Sequence, residues 1–496
     1  MAITAGGSLN SVPAAQQVAL ETNYIDFRDG STGWEQQYLP DLMEKEAEVF
    51  GNRTIGGFLQ QVGAEEPMSS DQVIWSEQGR LHKSYTGTVS TAATSRVTIA
   101  ADIDGTSGFT AAAHGLRIGD TILVSSATKT AVCYISAHVS STIVTALPYK
   151  FENLNDAGFS DSDACTVLVF GSEYSKGTTG ASATTADSNQ GTGNVVQPTF
   201  TSFSNKPIII KDVYGVSGSD ASAIGWVEVS NEDGTGGYLW YLKAESETRM
   251  RFADQLEMSM LESVEGDVGT GTGNSQVDTI LNTSTATAFG TMGLWEAVST
   301  RGNASSGITG VNAATDLAEF DAIIAEFDKQ GAIEENMVFV NRGTSLAIDD
   351  MLASLNSYGA GGTSYGVFSN SEQMALNLGF AGFRRGSYDF YKSDMRYLND
   401  KSTRGGINDR DTVNAVRGCF IPAGVTSVYD QMLGKNLKRP FLHVRYRASA
   451  TESRYMKTWI TGSVGAATSD LDAMLVHYLS ERCLVTQGAN NFMLLN

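Results

Sequence analysis

QPTFTSFSNKPIIIKDVYGVSGS (residues 197–219), followed after a Gly-rich turn by YLWYLKAESETRMRFADQLEMSMLES (residues 238–263), is the stretch on which the fold turns. Its first part has a polar and aromatic lead-in to a β run, KPIIIKDVYGV (206–216), rich in β-branched residues. Its second part opens the longest helical candidate of the chain, 238–264. Leu242, Ala253, Leu256, Met260, Leu261 and Val264 fall largely on one side of that helix, and Glu245, Glu247, Arg249 and Arg251 make a polar side. At 1.5 Å per residue it reaches about 40 Å, so a strand here feeds a strut.

Upstream of this stretch the texture is β. RVTIA, DTILVSS, AVCYISA, STIVTAL and CTVLVF follow one another between residues 96 and 170, separated by Gly, Asp, Asn and Ser clusters. Five short runs so spaced predict a small barrel or sandwich at about 95–170. Residues 177–194 (GTTGASATTADSNQGTGN) lack any bulky apolar side chain and cannot by themselves offset the entropy of ordering. Residues 1–34 are small and polar with scattered anchors, Val18, Leu20, Tyr24, Ile25 and Phe27, and read as an extended arm. A helix is expected up to Phe50, with Leu42, Met43, Ala47 and Phe50 on one stripe and Gly51 as its stop, and a short helix over 54–62.

Downstream the texture becomes α/β. DLAEFDAIIAEFDKQG opens with an Asp-x-x-Glu start at Asp316, strand NMVFVN follows, and a helix over 345–355 keeps Ile348, Met351, Leu352 and Leu355 in register. The tail returns to strands, PFLHVRYRA and RYMKTWITGSV, and ends in the apolar-rich LVHYLSERCLVTQ and NNFMLL. No internal repeat is apparent.

Composition narrows the function classes. The chain has 496 residues, 41% of them hydrophobic and 18% charged, with 52 Gly against 8 Pro, which describes a globular chain rich in turns. Its net charge of −21 disfavours sequence-specific nucleic-acid binding. Cys133, Cys165, Cys419 and Cys483 are widely spaced, without a Cys-x-x-Cys pair or histidines at ligand spacing, and read as reduced core thiols. Residues 1–20 lack the basic-then-apolar pattern of a signal peptide, and no apolar run is long enough to span a bilayer.

Catalytic motifs are missing. The five histidines, His82, His114, His138, His443 and His477, sit in no recognisable catalytic motif, and no phosphate-loop, dinucleotide or zinc-protease signature occurs. No enzyme activity, cofactor or metal is therefore expected. HGLRIGDTILV (114–124) reads as a turn feeding a strand, with Gly115 and Gly119 supplying unusual backbone angles and Asp120 bonding the turn. Residues 435–457 hold seven Lys and Arg, among them Lys438, Arg439, Arg445 and Arg447, against one acid, Glu452. Two readings stand: contact with an acidic neighbouring copy or packaged DNA, or a solvated strand face with scattered ion pairs.

Taken in order, the elements resemble the Hong Kong 97-like major capsid fold of tailed bacteriophages. The stretch 197–219 with 238–263 is similar to the returning limb of that fold's extended loop and its spine helix. VFGNRTIGGFLQQVGAEEPMSSDQVIWSEQGRLHKSY (49–85) and RYRASATESRYMKTWITGS (445–463) are similar to crAss-like phages of the gut. The resemblance covers nearly the whole chain and departs from the minimal fold at the β insertion.

It implies an α+β architecture: an N-terminal arm (1–34), a helical segment (35–74), an extended loop (75–213) carrying the inserted β domain, the spine helix (238–264) with the peripheral domain in 214–314, an axial α/β domain (315–434), and late strands of the peripheral and axial core (435–496). It implies pentamers and hexamers of this chain, an icosahedral head around double-stranded DNA, and location in the virion after assembly in the host cytoplasm. The expected partners are other copies, a separate scaffolding protein, the portal, auxiliary or decoration proteins, and DNA in non-specific proximity, with no membrane. Tyr24, Phe27, Arg249, Arg251, Lys438, Arg439, Arg445 and Arg447 are the candidate contacts between copies. A tail-tube or head-completion protein is the alternative, set back by the two helical regions. A surface adhesin or polysaccharide-degrading enzyme fits the Ser/Thr/Gly richness but lacks the secretion signal.

Overall fold

The computed structural model describes residues 64–80, 82–103, 114–174, 200–219, 228–230, 236–266, 290–330, 333–356, 382–408, 415–423, 425–430, 435–464 and 467–496. The expected arm, both N-terminal helices, the stretch 177–194, and the contact candidates Tyr24 and Phe27 lie outside these residues. The chain divides into two compact units, Met1–Trp75 with Ser204–Asn496, and Ser76–Phe203.

Strands β1 (Ala64–Met68) and β2 (Val73–Gln78) precede six more: β3 (Ser84–Thr91), β4 (Arg96–Asp102), β5 (Asp120–Ser125), β6 (Thr130–His138), β7 (Ile143–Pro148) and β8 (Ala164–Ser172). Strands β3 to β8 close into an antiparallel barrel in the order β3-β4-β7-β6-β5-β8, with β8 back against β3. Alternation drives the closure, because β6 buries Ala131, Cys133 and Ile135 while the residues between them face outward. Val97, Ile99, Ile122, Val124, Val144, Leu154, Phe159 and Val167 complete the filling.

The barrel starts before the expected boundary near residue 95. β3 carries the sequence SYTGTVST and buries Tyr85, Gly87 and Val89, so its inward row holds only two bulky side chains. Gly87 is required there, since a Cβ would stand 2.1 Å from the Thr98 carbonyl oxygen. At the turn before β5, Gly119 has φ +93 and Asp120 accepts the Arg117 amide at 2.9 Å, as the turn reading expects; Gly115 is not among the positive-φ residues.

The other unit continues with β9 (Phe200–Asn205), β10 (Ile208–Ser217), β11 (Glu228–Ser230), β12 (Gly236–Tyr238), α1 (Leu239–Glu262), α2 (Leu294–Arg301) and β13 (Asn303–Ser305). Then come α3 (Ala313–Gln330), β14 (Glu335–Val340), α4 (Arg342–Asn356), β15 (Gly382–Arg385), β16 (Tyr388–Asp394) and α5 (Arg404–Asn408). The last strands are β17 (Gly418–Pro422), β18 (Val425–Asp430), β19 (Lys435–Pro440), β20 (Leu442–Arg447), β21 (Lys457–Gly462), β22 (Ala473–Thr486) and β23 (Met493–Leu495).

One sheet of this unit is built around the long β22, with β10 along one side and β20 and β21 sharing the other, while β1 runs parallel to β20. Helix α1 lies on it. Phe252 and Leu256 pack with Val476 and Tyr478 of β22, and Met260 and Leu261 join Leu442, Val444 and Leu484. The expected stripe is thus present at Leu256, Met260 and Leu261, with Phe252 added. Val264 leaves it, because the helix ends at Glu262, and is 63% exposed.

The second sheet has the order β13-β23-β17-β14-β16-β15. Helices α3 and α4 cover it through Phe320, Ile323, Phe327, Ile348, Met351 and Leu352, which meet Phe383, Tyr388, Phe390 and Phe420. Its strands β13 and β23 fall outside the expected span 315–434, and at three residues each they are too short to show a period. At the start of α3 the Asn312 carboxamide caps the Thr315 amide at 2.9 Å. The expected Asp-x-x-Glu pair reaches back to the preceding loop instead, Asp316 accepting from Gly310 at 3.0 Å and Glu319 from Ile308 at 2.6 Å.

Candidate functional site

Single side chains anchor the junction of β9 with β10 and the last residue of α1. Asn205, at the end of β9, is 2% exposed and uses its whole carboxamide. Its Nδ2 donates to the carbonyls of Leu484 at 2.6 Å and Met292 at 3.0 Å, while its Oδ1 accepts from the Lys206 and Met292 amides and the Thr291 hydroxyl. Three distant segments therefore meet on one side chain.

The C-terminal end of α1 is tied by Glu262. Its Oε1 accepts from the Tyr397 hydroxyl at 2.7 Å and the Trp295 indole at 3.1 Å, and its Oε2 pairs with Arg404 at 2.6 Å. Burial, reinforced by the bond to Glu262, holds the Tyr397 hydroxyl far above its ordinary value, so it serves as a donor. Under the sheet, buried Arg482 donates to Ser480 Oγ and the Tyr455 carbonyl, each at 2.9 Å, lies over the Tyr455 ring and faces Glu65 at 3.5 Å. Desolvation pulls its pKa down, but a guanidinium starts high enough to stay charged.

The structure places the other contact candidates as follows. Arg249 and Arg251 are exposed on α1, and Arg251 pairs with Asp212 of β10 at 3.1 Å. Arg445 pairs with Glu66 of β1 at 2.8 Å, and Arg447 reaches Asp71 and Glu481. Lys457 pairs with Glu452 at 2.6 Å, and Arg454 pairs with Glu481. For these four basic residues of 435–457 the balancing acids lie on the chain itself: Glu66 of β1, Asp71 of the turn after it and Glu481 of β22 serve the three arginines, and Glu452 within the run serves Lys457. Sequence distance hid them, since Glu66 and Arg445 meet only through the β1–β20 register. Lys438 and Arg439 lie in β19, paired with β18 as a two-stranded sheet.

Sequence reasoning missed the outer face of the barrel. On β8, β5 and β6 the outward residues Leu168, Leu123 and Val132 are direct cross-strand neighbours. The row continues to Tyr149, whose amide donates to the Val132 carbonyl at 3.0 Å. One step along the strands, Tyr134 and Leu147 are cross-strand neighbours, and Phe170 stands at the bulge of β8 beside the Thr121 position of that row. Val132, Leu147, Tyr149, Leu168 and Phe170 are all 40 to 57% exposed. The Tyr149 hydroxyl donates to Glu173 at 2.5 Å, and burial and that carboxylate push it up to about 12.

His114, before β5, is buried with its ring stacked 5.2 Å from His138, and burial first, then the charge of His138, holds it down near 4. All four cysteines are free and buried, as expected of core thiols, and burial pushes Cys133 and Cys483 up to about 12 and Cys165 to about 11. Thiols so held are poor nucleophiles. Among the described residues no group of three or more His, Cys, Asp or Glu is arranged to hold a metal, and no helix is long and apolar enough to cross a membrane.

No protein-family model and no curated protein matches the chain. Among solved structures it is similar to a chain of Microbacterium phage Oxtober96, at 9% identity and TM-score 0.40, covering 93% of this chain and 97% of that one. It is similar to a chain of the capsid of cyanophage P-SCSP1u, at 8% identity and TM-score 0.40, covering 96% and 98%. A chain of the capsid of the native GTA particle follows at 8% identity and TM-score 0.38, covering 96% and 99%.

Proposed function

We propose that this chain is a shell-building protein without catalytic function, the major capsid protein of a tailed bacteriophage with a Hong Kong 97-like fold, related to those of crAss-like phages. The observation that carries this reading is the path of the chain through α1. Strand β10 leads from a loop that holds a whole closed barrel into the sheet around β22, and the chain then runs into a 24-residue helix laid on that sheet. The loop leaves and returns through β2 and β9, which form a two-stranded sheet of their own. Such an excursion serves an isolated subunit poorly and serves a lattice well, because repeated modest contacts between copies add up to a stable closed shell.

On this reading residues 75–213 are the extended loop, α1 is the spine helix, the six-stranded sheet with α3 and α4 is the axial domain, and the sheet around β22 is the peripheral domain. Pentamers and hexamers build an icosahedral head in the virion, which encloses double-stranded DNA. Assembly takes place in the host cytoplasm, with a separate scaffolding protein, a portal and auxiliary proteins. A net charge of −21 lets DNA enter without sticking to the wall. The test is electron microscopy of the expressed chain. Rings of five or six subunits or closed shells are expected; filaments would assign it to a tail tube.

A further inference from the structure

We propose that the apolar outer face of the barrel is a contact between the barrels of two copies of this chain, made only inside an assembled particle; the proposal rests on the capsid reading. Leu168, Leu123 and Val132 form one row across three strands, Tyr149 extends it just past the end of β7, Tyr134 and Leu147 belong to the next, and Phe170 stands beside that row at the bulge of β8. Apolar side chains that are neighbours and stay exposed mark an interaction face, unlike single scattered ones.

Three arguments select a second copy as the occupant. The first is charge. The outward positions of β5 to β8 hold no Asp, Glu, Lys or Arg, and the Glu173 carboxylate at the edge is engaged by the Tyr149 hydroxyl, so the face offers little to nucleic acid, to a charged lipid surface or to a charged peptide. Copies that each carry −21 repel one another and meet at least cost where neither presents charge. The second is closure. A closed barrel has no free strand edge, so a partner cannot join by adding a strand and has to lie face to face. The third is area. With strands about 4.8 Å apart and outward rows about 7 Å apart, the face covers roughly 300 Å² per copy, against about 800 Å² per partner in a stable complex. It cannot hold a partner arriving alone. It can join chains already held near each other by other contacts, as copies in a shell are.

The test uses the full-length chain with Val132→Glu, with Val132→Lys, and with the two variants co-expressed; Phe170→Glu and Phe170→Lys form a second set. Melting of unassembled protein and yield of sedimenting particles are measured side by side. Each single variant is expected to melt like the parent and to lose particle yield about tenfold or more, because like charges are placed opposite each other. Co-expression of the Glu and Lys variants is expected to restore particles, because opposite charges then meet. Parent-like yields from all single variants would overturn the proposal. So would losses that mixing leaves unrepaired, which would give the face to a different surface, or melting losses that match the particle losses, which would make the face part of the barrel's own stability. If the unaltered chain forms neither rings of five or six subunits nor closed particles, the capsid reading itself fails, and this proposal with it.

Discussion

At Asn205 a single carboxamide holds three segments, and no simpler side chain can replace it. Asn205→Ala leaves the Met292 amide, the Thr291 hydroxyl and the Leu484 carbonyl without this partner in a buried site, and is expected to cost roughly 3 kcal/mol in urea unfolding. Asn205→Asp is expected to cost more at neutral pH, because it turns a carboxylate oxygen toward the Leu484 and Met292 carbonyls, and the excess should shrink as acid protonates it. A loss below about 0.5 kcal/mol for alanine would mean that water takes over these bonds. His114 sets a pH dependence of known sign. Its folded value near 4 lies below the unfolded 6.5, so the folded barrel binds fewer protons between them. Stability is complete above pH 6.5 and falls as pH drops toward 4, by roughly 3 kcal/mol in all. Barrel melting between pH 7.5 and 4.5 measures it, and His114→Phe should flatten the curve. Neither residue announces its role in the sequence: Asn205 ends an ordinary strand, and the burial of His114 depends on β6 and on a turn that lie further along the chain.

Helix α1 is the element most legible in the sequence and also the one that shows where legibility ends. Length and period made it readable, and Leu256, Met260 and Leu261 are buried as the stripe requires. Leu256→Ala should therefore cost roughly 2 to 5 kcal/mol in thermal or urea unfolding of the unassembled chain. Arg249, exposed two turns before Leu256 on the same side of the helix, should tolerate Arg249→Glu within about 0.5 kcal/mol in the same measurement, yet sedimentation should show fewer particles, because every copy carries the change. Equal losses in both assays would make the helix merely core. The end of the helix was misplaced, since Glu262 is held by Tyr397 and Arg404, whose approach no local pattern encodes. Strands β13 and β23 escaped for the opposite reason, being too short to carry any pattern. The basic run 435–457 and its Glu452 are visible in the composition, but Glu66 and Glu481 are not, because β1 and β22 bring them in from elsewhere in the chain.

For the whole molecule, the useful question is where the barrel can be removed. Its first and last strands, β3 and β8, are antiparallel neighbours, with Ser84 opposite Leu168, so the chain enters and leaves the barrel side by side. A linker across that gap is short, and closing a short loop costs little compared with the excursion it replaces. Replacing residues 81–174 by a few Gly and Ser residues should therefore leave the melting of the remaining unit unchanged. The five runs visible in the sequence suggest instead a cut at about 95–170, and that cut should fail. It would leave β3 behind with Tyr85 and Val89 stripped of the core they fill and with both edges unpaired, a template for aggregation. Expressing the two deletions side by side, with soluble yield and melting temperature as readouts, separates a barrel of six strands from an insertion of five. Soluble, normally melting protein from the shorter cut, or loss of the unit with the longer one, would show that the boundary at Ser84 does not separate independent units.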